Sequence, residues 1–232
     1  MQPRLALATL LLLGSVAPMA LVHAQTPPAK PAPPAASPTD ERAKELVAKV
    51  QAFYDKAKTF QAHFDQRYKI RAYDTVKTNT GRVSFRKPGK MSWDYDNGNR
   101  VVSDGQLLHV YEKDKKQVYR QNIKKSPYPA ALSFLGGNGD LGKEFSFKLL
   151  DSKKMKFPGG YVLLGTPTEP TPAYQKLLLY VDAATSQVRR VLLIDAQQNT
   201  NRFDFDQARV NDPIEDKYFY FTPPPGTNLI KP

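Results

Sequence analysis

The residues whose types could do chemistry are few: two histidines in the body of the chain, some aspartate pairs and one oddly placed lysine. There is no cysteine, and the three histidines stand at His23, His63 and His109. No thiolate nucleophile or transition-metal cluster is expected from that set. Acyl transfer through serine would need a G-x-S-x-G elbow, which the sequence lacks. His63 lies on the polar side of an alternating run opposite Phe64, and His109 sits among Leu108, Val110 and Tyr111, so both read as strand residues. Asp94-x-Asp96-x-Gly98 begins like a calcium loop but lacks the later ligands. Asp204 and Asp206 alternate with Phe203 and Phe205, which fits an outward strand face better than an acid and base pair. Gly137 to Gly142, GNGDLG, matches the dinucleotide fingerprint as a string, but a helical pattern precedes it and a strand pattern follows, the reverse of what pyrophosphate binding needs. It reads as a loop. The expectation is a non-enzymatic protein with no cofactor and no metal.

Lys87 is different. In Gly81 to Lys87 the apolar Val83 and Phe85 alternate with Arg82, Ser84 and Arg86, so Lys87 falls on the apolar side. The pattern repeats with Met91, Trp93 and Tyr95 against Ser92, Asp94 and Asp96. An ammonium at the end of an apolar face costs free energy unless it meets water or carbonyl acceptors. Pro88 keeps Lys87 extended and turns the chain, which places it at the rim of any concavity. It could hydrogen-bond a covering helix or loop there, or simply extend its ammonium to water.

The elements that would position these residues follow from periodicity. Leu46, Val50, Phe53, Ala57 and Phe60 make one apolar stripe on a helix over 40–58, with Thr39 as a cap. From Phe60 onward the period becomes two. Strands are expected at 61–72, 78–86, 90–96, 99–103, 106–112, 117–122, 144–151, 160–167, 175–182, 187–195 and 199–210, with a short terminal piece at 218–222. Asp104-Gly105 reads as a tight hairpin turn, and connections this short make neighbouring strands antiparallel. Ser126 to Gly136 interrupts the meander with Ala131, Leu132, Phe134 and Leu135, a short apolar helix. The fold class is α+β, one large curved antiparallel sheet with two helices that either roof an apolar volume or plug the core.

Residues 1–24, with Arg4, an apolar run from Leu5 to Leu21 and a Val22-His23-Ala24 ending, read as a cleavable secretory signal. Residues 25–39 hold six prolines and read as an extended tether. Residues 40–232 form the folded domain. The net charge of +12 favours anionic partners, membrane lipids or acidic protein surfaces ahead of nucleic acid.

Phe60 to Gln66 (FQAHFDQ), the G-x-V-x-F-x-K-P-G-K-M-S-W run of 81–93, Val102 to Gly105, Pro127 to Leu135 and Phe219 to Gly226 (FYFTPPPG) occur in that order over residues 41–230. In this the chain resembles the LolA family of periplasmic outer-membrane lipoprotein carriers. The resemblance implies an incomplete, half-open antiparallel β-barrel of about eleven strands under a helical lid, acting as a monomer. It implies a cavity lined by Val83, Phe85, Met91, Trp93, Tyr95, Leu132, Phe134 and Leu135. The cargo would be acylated lipoproteins, taken from an inner-membrane ABC-type releasing complex to the outer membrane, where a receptor is possible. Lys87 matches the position where the family has an arginine latching the lid, and Met91 matches a contact for the releasing complex. A lipid- or lipoprotein-sensing regulatory domain of the same architecture is the alternative, and a secreted lipid hydrolase is a third reading with no assembled site behind it.

Overall fold

A computed structural model describes residues 38–123, 130–136 and 139–230. The expected signal peptide, nearly all of the expected tether and the first part of the inserted helix lie outside these. Helix α1 (Pro38–Lys56) begins one residue before the expected cap Thr39. It buries Ala43, Leu46, Val47, Val50 and Tyr54. The stripe is therefore rotated from the expected one: Tyr54 is fully buried, while Phe53 is only partly so.

Twelve strands form a single sheet in the order β12-β6-β5-β4-β3-β2-β1-β11-β10-β9-β8-β7. They are β1 (Thr59–Ile70), β2 (Thr75–Arg86), β3 (Lys90–Tyr95), β4 (Arg100–Asp104), β5 (Leu107–Glu112), β6 (Gln117–Asn122), β7 (Phe145–Leu150), β8 (Gly160–Pro167), β9 (Lys176–Asp182), β10 (Val188–Ile194), β11 (Thr200–Val210) and β12 (Asn228–Ile230). Eleven lie within a few residues of the expected positions, and their pairings are antiparallel. The sheet stays open, with β7 and β12 at its two edges. The turn at Asp104-Gly105 is as expected: Gly105 takes a φ of +98°, and the Asp104 carboxylate accepts the amides of Gln106 and Leu107 at 2.8 and 2.9 Å.

Two expectations need correction. The terminal strand at 218–222 is not there; Asp216–Phe219 is a short 3-10 helix, and the last strand is β12, parallel to β6. Phe219 is fully buried beneath the Arg86 guanidinium, 4.8 Å from its ring centroid, so this segment packs by its side chains. Pro223, Pro224 and Pro225 then lack the N–H groups a ladder needs. Within the GNGDLG segment, a one-turn helix α2 (Leu141–Glu144) forms where only a loop was expected. The Asp140 carboxylate caps it by accepting the amides of Gly142 and Lys143, and this engages the donors that a phosphate would have sought.

The concave side holds the core. Phe60, Phe64, Val83, Phe85, Trp93, Phe203 and Phe205 project from the central strands into one cluster, and α1 packs on it along β7. On the other side, the segment from Asn211 to Phe221 straps the sheet. Asp216 is held by both Lys90, at 2.9 Å, and Arg86, and these cations keep its carboxyl below the usual range. Gly81 lies where β2 passes closest to its neighbours: a Cβ there would stand 2.2 Å from the Asp94 carbonyl and 2.9 Å from the Phe64 ring. Gly81→Ala should therefore destabilise the fold by about 2–3 kcal/mol in chemical denaturation. A loss below about 0.5 kcal/mol, the range of an unconstrained surface change, would show that the two strands yield easily.

Candidate functional site

The residues expected to line a cavity come together on the concave face. Val83, Phe85, Met91, Trp93, Leu132, Phe134 and Leu135 are each 7% exposed or less, and Tyr95 packs partly buried at their edge. Trp93 is the hub, with ring centroids 5.0 Å from Phe64, 5.2 Å from Phe203 and 6.0 Å from Phe85. Ala130–Gly136, the described part of the inserted helix, is a 3-10 helix that lays Leu132, Phe134 and Leu135 on this floor. The arrangement is closed: lid and floor fill the concavity with their own side chains. Met91 is covered with the rest, at 4% exposure.

Lys87 sits at the β2–β3 turn and reaches the lid. Its Nζ donates to the carbonyls of Tyr54 and Asp55, at 2.8 and 2.7 Å, in the last turn of α1. The Tyr54 carbonyl also accepts the Ala57 amide at 3.2 Å, and a cation at a helix C-terminus meets the negative end of the dipole. The Lys87 amide donates to Lys58 O at 3.0 Å, so main chain and side chain together fix the end of the helix.

Two positions that the sequence did not single out complete the closure. The Tyr54 hydroxyl, buried against Phe60 and Phe134, accepts the Val188 amide at 3.1 Å, and burial pushes its phenol pKa well up. Gln51 ties α1 to the start of α2, donating to the Gly139 carbonyl at 3.2 Å and accepting the Leu141 amide at 2.9 Å. An apolar count along α1 gives Tyr54 no special weight. Its tilt toward the rest of the core decides the point.

The outer face is polar. His63 lies 3.3 Å from Asp206, Asp94 is bound by Arg100 and Ser92, Asp96 accepts from Thr80, and Asp204 is bracketed by Arg190 and Arg202. These aspartates are engaged as structural partners, in keeping with the outward-face reading. A cleft of about 880 Å³ opens here beneath the strap, with His63, Arg82, Gln207 and Ile214 among its walls. His63, Asp65 and Asp206 bring ligand atoms within 4.8 Å of one another, but both carboxylates are exposed and His63 pairs with Asp206. Burial and the nearby Arg120 lower the His109 pKa, which favours a neutral strand residue.

An open, curled antiparallel sheet with one long helix packed on its apolar face defines a half-open barrel. The chain belongs to the family of outer membrane lipoprotein carrier protein LolA, whose pattern it matches over residues 55–222. It is 26% identical over 189 residues to an outer-membrane lipoprotein carrier protein of Nitrosomonas europaea, covering 80% of this chain and 88% of that one. A protein of the same description from Chromobacterium violaceum is 29% identical over 189 residues, 79% of this chain and 86% of its own. An uncharacterised conserved protein of Thermus thermophilus shares the fold, with a TM-score of 0.52 at 11% identity over 82% of this chain and 99% of that one.

Two variants read the closure directly. A hydrogen bond to a charged group is worth about 1.5–3 kcal/mol, so Lys87→Ala should speed amide exchange in the last turn of α1 by about tenfold to a hundredfold and leave the central strands unchanged. Tyr54→Phe strands the buried Val188 amide and should cost about 1–3 kcal/mol in thermal unfolding. Unchanged exchange in the first case, or an unchanged melting temperature in the second, would remove that bond from the account.

Proposed function

We propose that this chain is a periplasmic carrier that takes the acyl chains of lipoproteins onto the concave face and shuttles them from an inner-membrane ABC-type releasing complex to the outer membrane. The observation that carries this is the Lys87 bond pair to the end of α1, set over a floor of aromatic side chains. An apolar face closed by a charged bond at its rim can be opened without unfolding the sheet. When Lys87 releases α1, the helix and the inserted segment lift together, since Tyr54 packs edge-on against Phe134 at 5.2 Å. Phe64, Phe85, Trp93 and Leu135 then become walls for acyl chains, and Met91 becomes a contact for the releasing complex.

The energetics favour such a device. Three acyl chains with about 45 methylenes, at about 0.8 kcal/mol each, would gain ~36 kcal/mol if fully buried, well beyond the ~18–21 kcal/mol at which non-covalent affinity saturates. Here the floor is already covered, so cargo gains only the difference between its own burial and that of the lid it displaces. This keeps the carrier releasable to a receptor, or to a membrane, with moderately greater affinity.

Mass spectrometry of protein gently purified from its own envelope should find acylated lipoprotein bound, and repeated absence of acylated cargo would contradict the carrier reading. Lys87→Arg offers a planar donor fork to the two carbonyls. It should close the lid more firmly and slow cargo transfer to acceptor membranes severalfold, whereas transfer at the parent rate by both Lys87→Arg and Lys87→Ala would show that Lys87 is no latch.

A further inference from the structure

The β1–β2 hairpin, the longest in the sheet, runs past its neighbour on one side. β1 and β2 have 12 residues each; β3 pairs with β2 only from Gly81 to Arg86, whereas β11 follows β1 as far as Lys69 and the Asn199 side chain accepts the Arg71 amide at 2.9 Å. Asn97 still reaches the side chain of Asn79. Beyond it Thr75 to Thr78 pair with β1 alone, so the end of the hairpin is uncovered on the β3 side. Every residue from Arg71 to Thr78 is exposed, including Tyr73 at 80% and Val76 at 44%. Within 67–77 the charged residues are Arg67, Lys69, Arg71 and Lys77 against the single acid Asp74. Asp74 is already paired to Lys69 at 2.7 Å, which holds its carboxyl below the usual range.

We propose that this β1–β2 tip docks on the headgroups of an anionic phospholipid bilayer, with Arg67, Arg71 and Lys77 over the phosphates and Tyr73 at headgroup depth. Charge complementarity selects the sign of the partner, and shape selects its kind. A specific protein interface takes about 20–30 residues a side, against the eight exposed residues from Arg71 to Thr78. A bilayer asks for no matching shape; a few cations gain from its surface potential, and tyrosine is at home at the interface. The tip and Lys87 stand at opposite ends of β2, about 36 Å apart at about 3.3 Å per residue. Membrane contact at the tip therefore leaves the lid end free for a protein partner. The inference goes beyond the carrier reading and does not depend on which cargo is bound.

Co-sedimentation of the exported protein with vesicles tests it. Phosphatidylcholine vesicles containing one-third phosphatidylglycerol should bind it, less so as salt is raised, and pure phosphatidylcholine should not. At about fivefold per basic residue, Arg71→Gln combined with Lys77→Gln should weaken binding about 25-fold, and Tyr73→Ser should weaken it severalfold. Lys153→Gln with Lys154→Gln, in the β7–β8 turn at the other end of the strands, should stay within twofold of the parent. These positions are exposed, so melting temperatures should match the parent; if the double variant unfolds, Tyr73→Ser decides alone. Equal binding to both vesicle types, parent-like binding by the tip variants, or equal losses from the two ends would overturn the proposal.

Discussion

An apolar sheet face this wide must be covered, and the available covers compete for it. In the closed structure the cover is internal: α1 and the 3-10 segment lay Tyr54, Leu132, Phe134 and Leu135 on a floor built around Phe64, Phe85 and Trp93. Burial is worth about 25 cal/mol per Å² of apolar surface, so the lid closes spontaneously and the exposed sheet never becomes an aggregation surface. For a foreign apolar ligand the same covering is the obstacle. In the proposed carrier cycle the free energy of binding is the difference between two burials.

At the rim, lid and strap are both held. β2 ends in two adjacent cations that face opposite ways: Arg86 holds Asp216 and Phe219 of the outer strap, and Lys87 holds the last turn of α1. Neither element is pinned by a covalent bond, since the chain has no cysteine. The partners of Lys87 are main-chain carbonyls, whose positions depend on helix geometry and hardly at all on side-chain identity. A lysine makes two such bonds here with a compact ammonium, where the family resemblance leads one to expect the planar fork of an arginine.

Much of this was legible in the sequence because a half-buried strand writes its face as a period of two. The runs around Val83, Phe85, Met91 and Trp93 gave both the strands and their inward side. Lys87 stood out through the same parity, and its ammonium meets the carbonyls of Tyr54 and Asp55 at the end of α1. What escaped was set by tertiary contacts. The deepest residue of α1 is Tyr54 and not Phe53, because only Tyr54 reaches the Val188 amide. The strap looked like a strand because Tyr218, Phe219, Tyr220 and Phe221 resemble one in composition, yet Phe219 packs beneath Arg86 in place of strand pairing. α2 is a single capped turn, too short for periodicity to reveal. Whether the concavity is filled or empty depends on how far the lid descends, which no pattern of apolar residues encodes.

Lid movement on ligand binding is the central claim, and a distance measures it. The absence of native cysteine allows spin labels at Lys56→Cys, at the exposed end of α1, and Gln106→Cys, in the exposed β4–β5 turn. Pulsed electron spin resonance should give one short distance for the empty protein and a longer, broader distribution once a triacylated lipopeptide is bound. An unchanged distance with lipopeptide demonstrably bound would contradict the account, because acyl chains would then be held without displacing the lid.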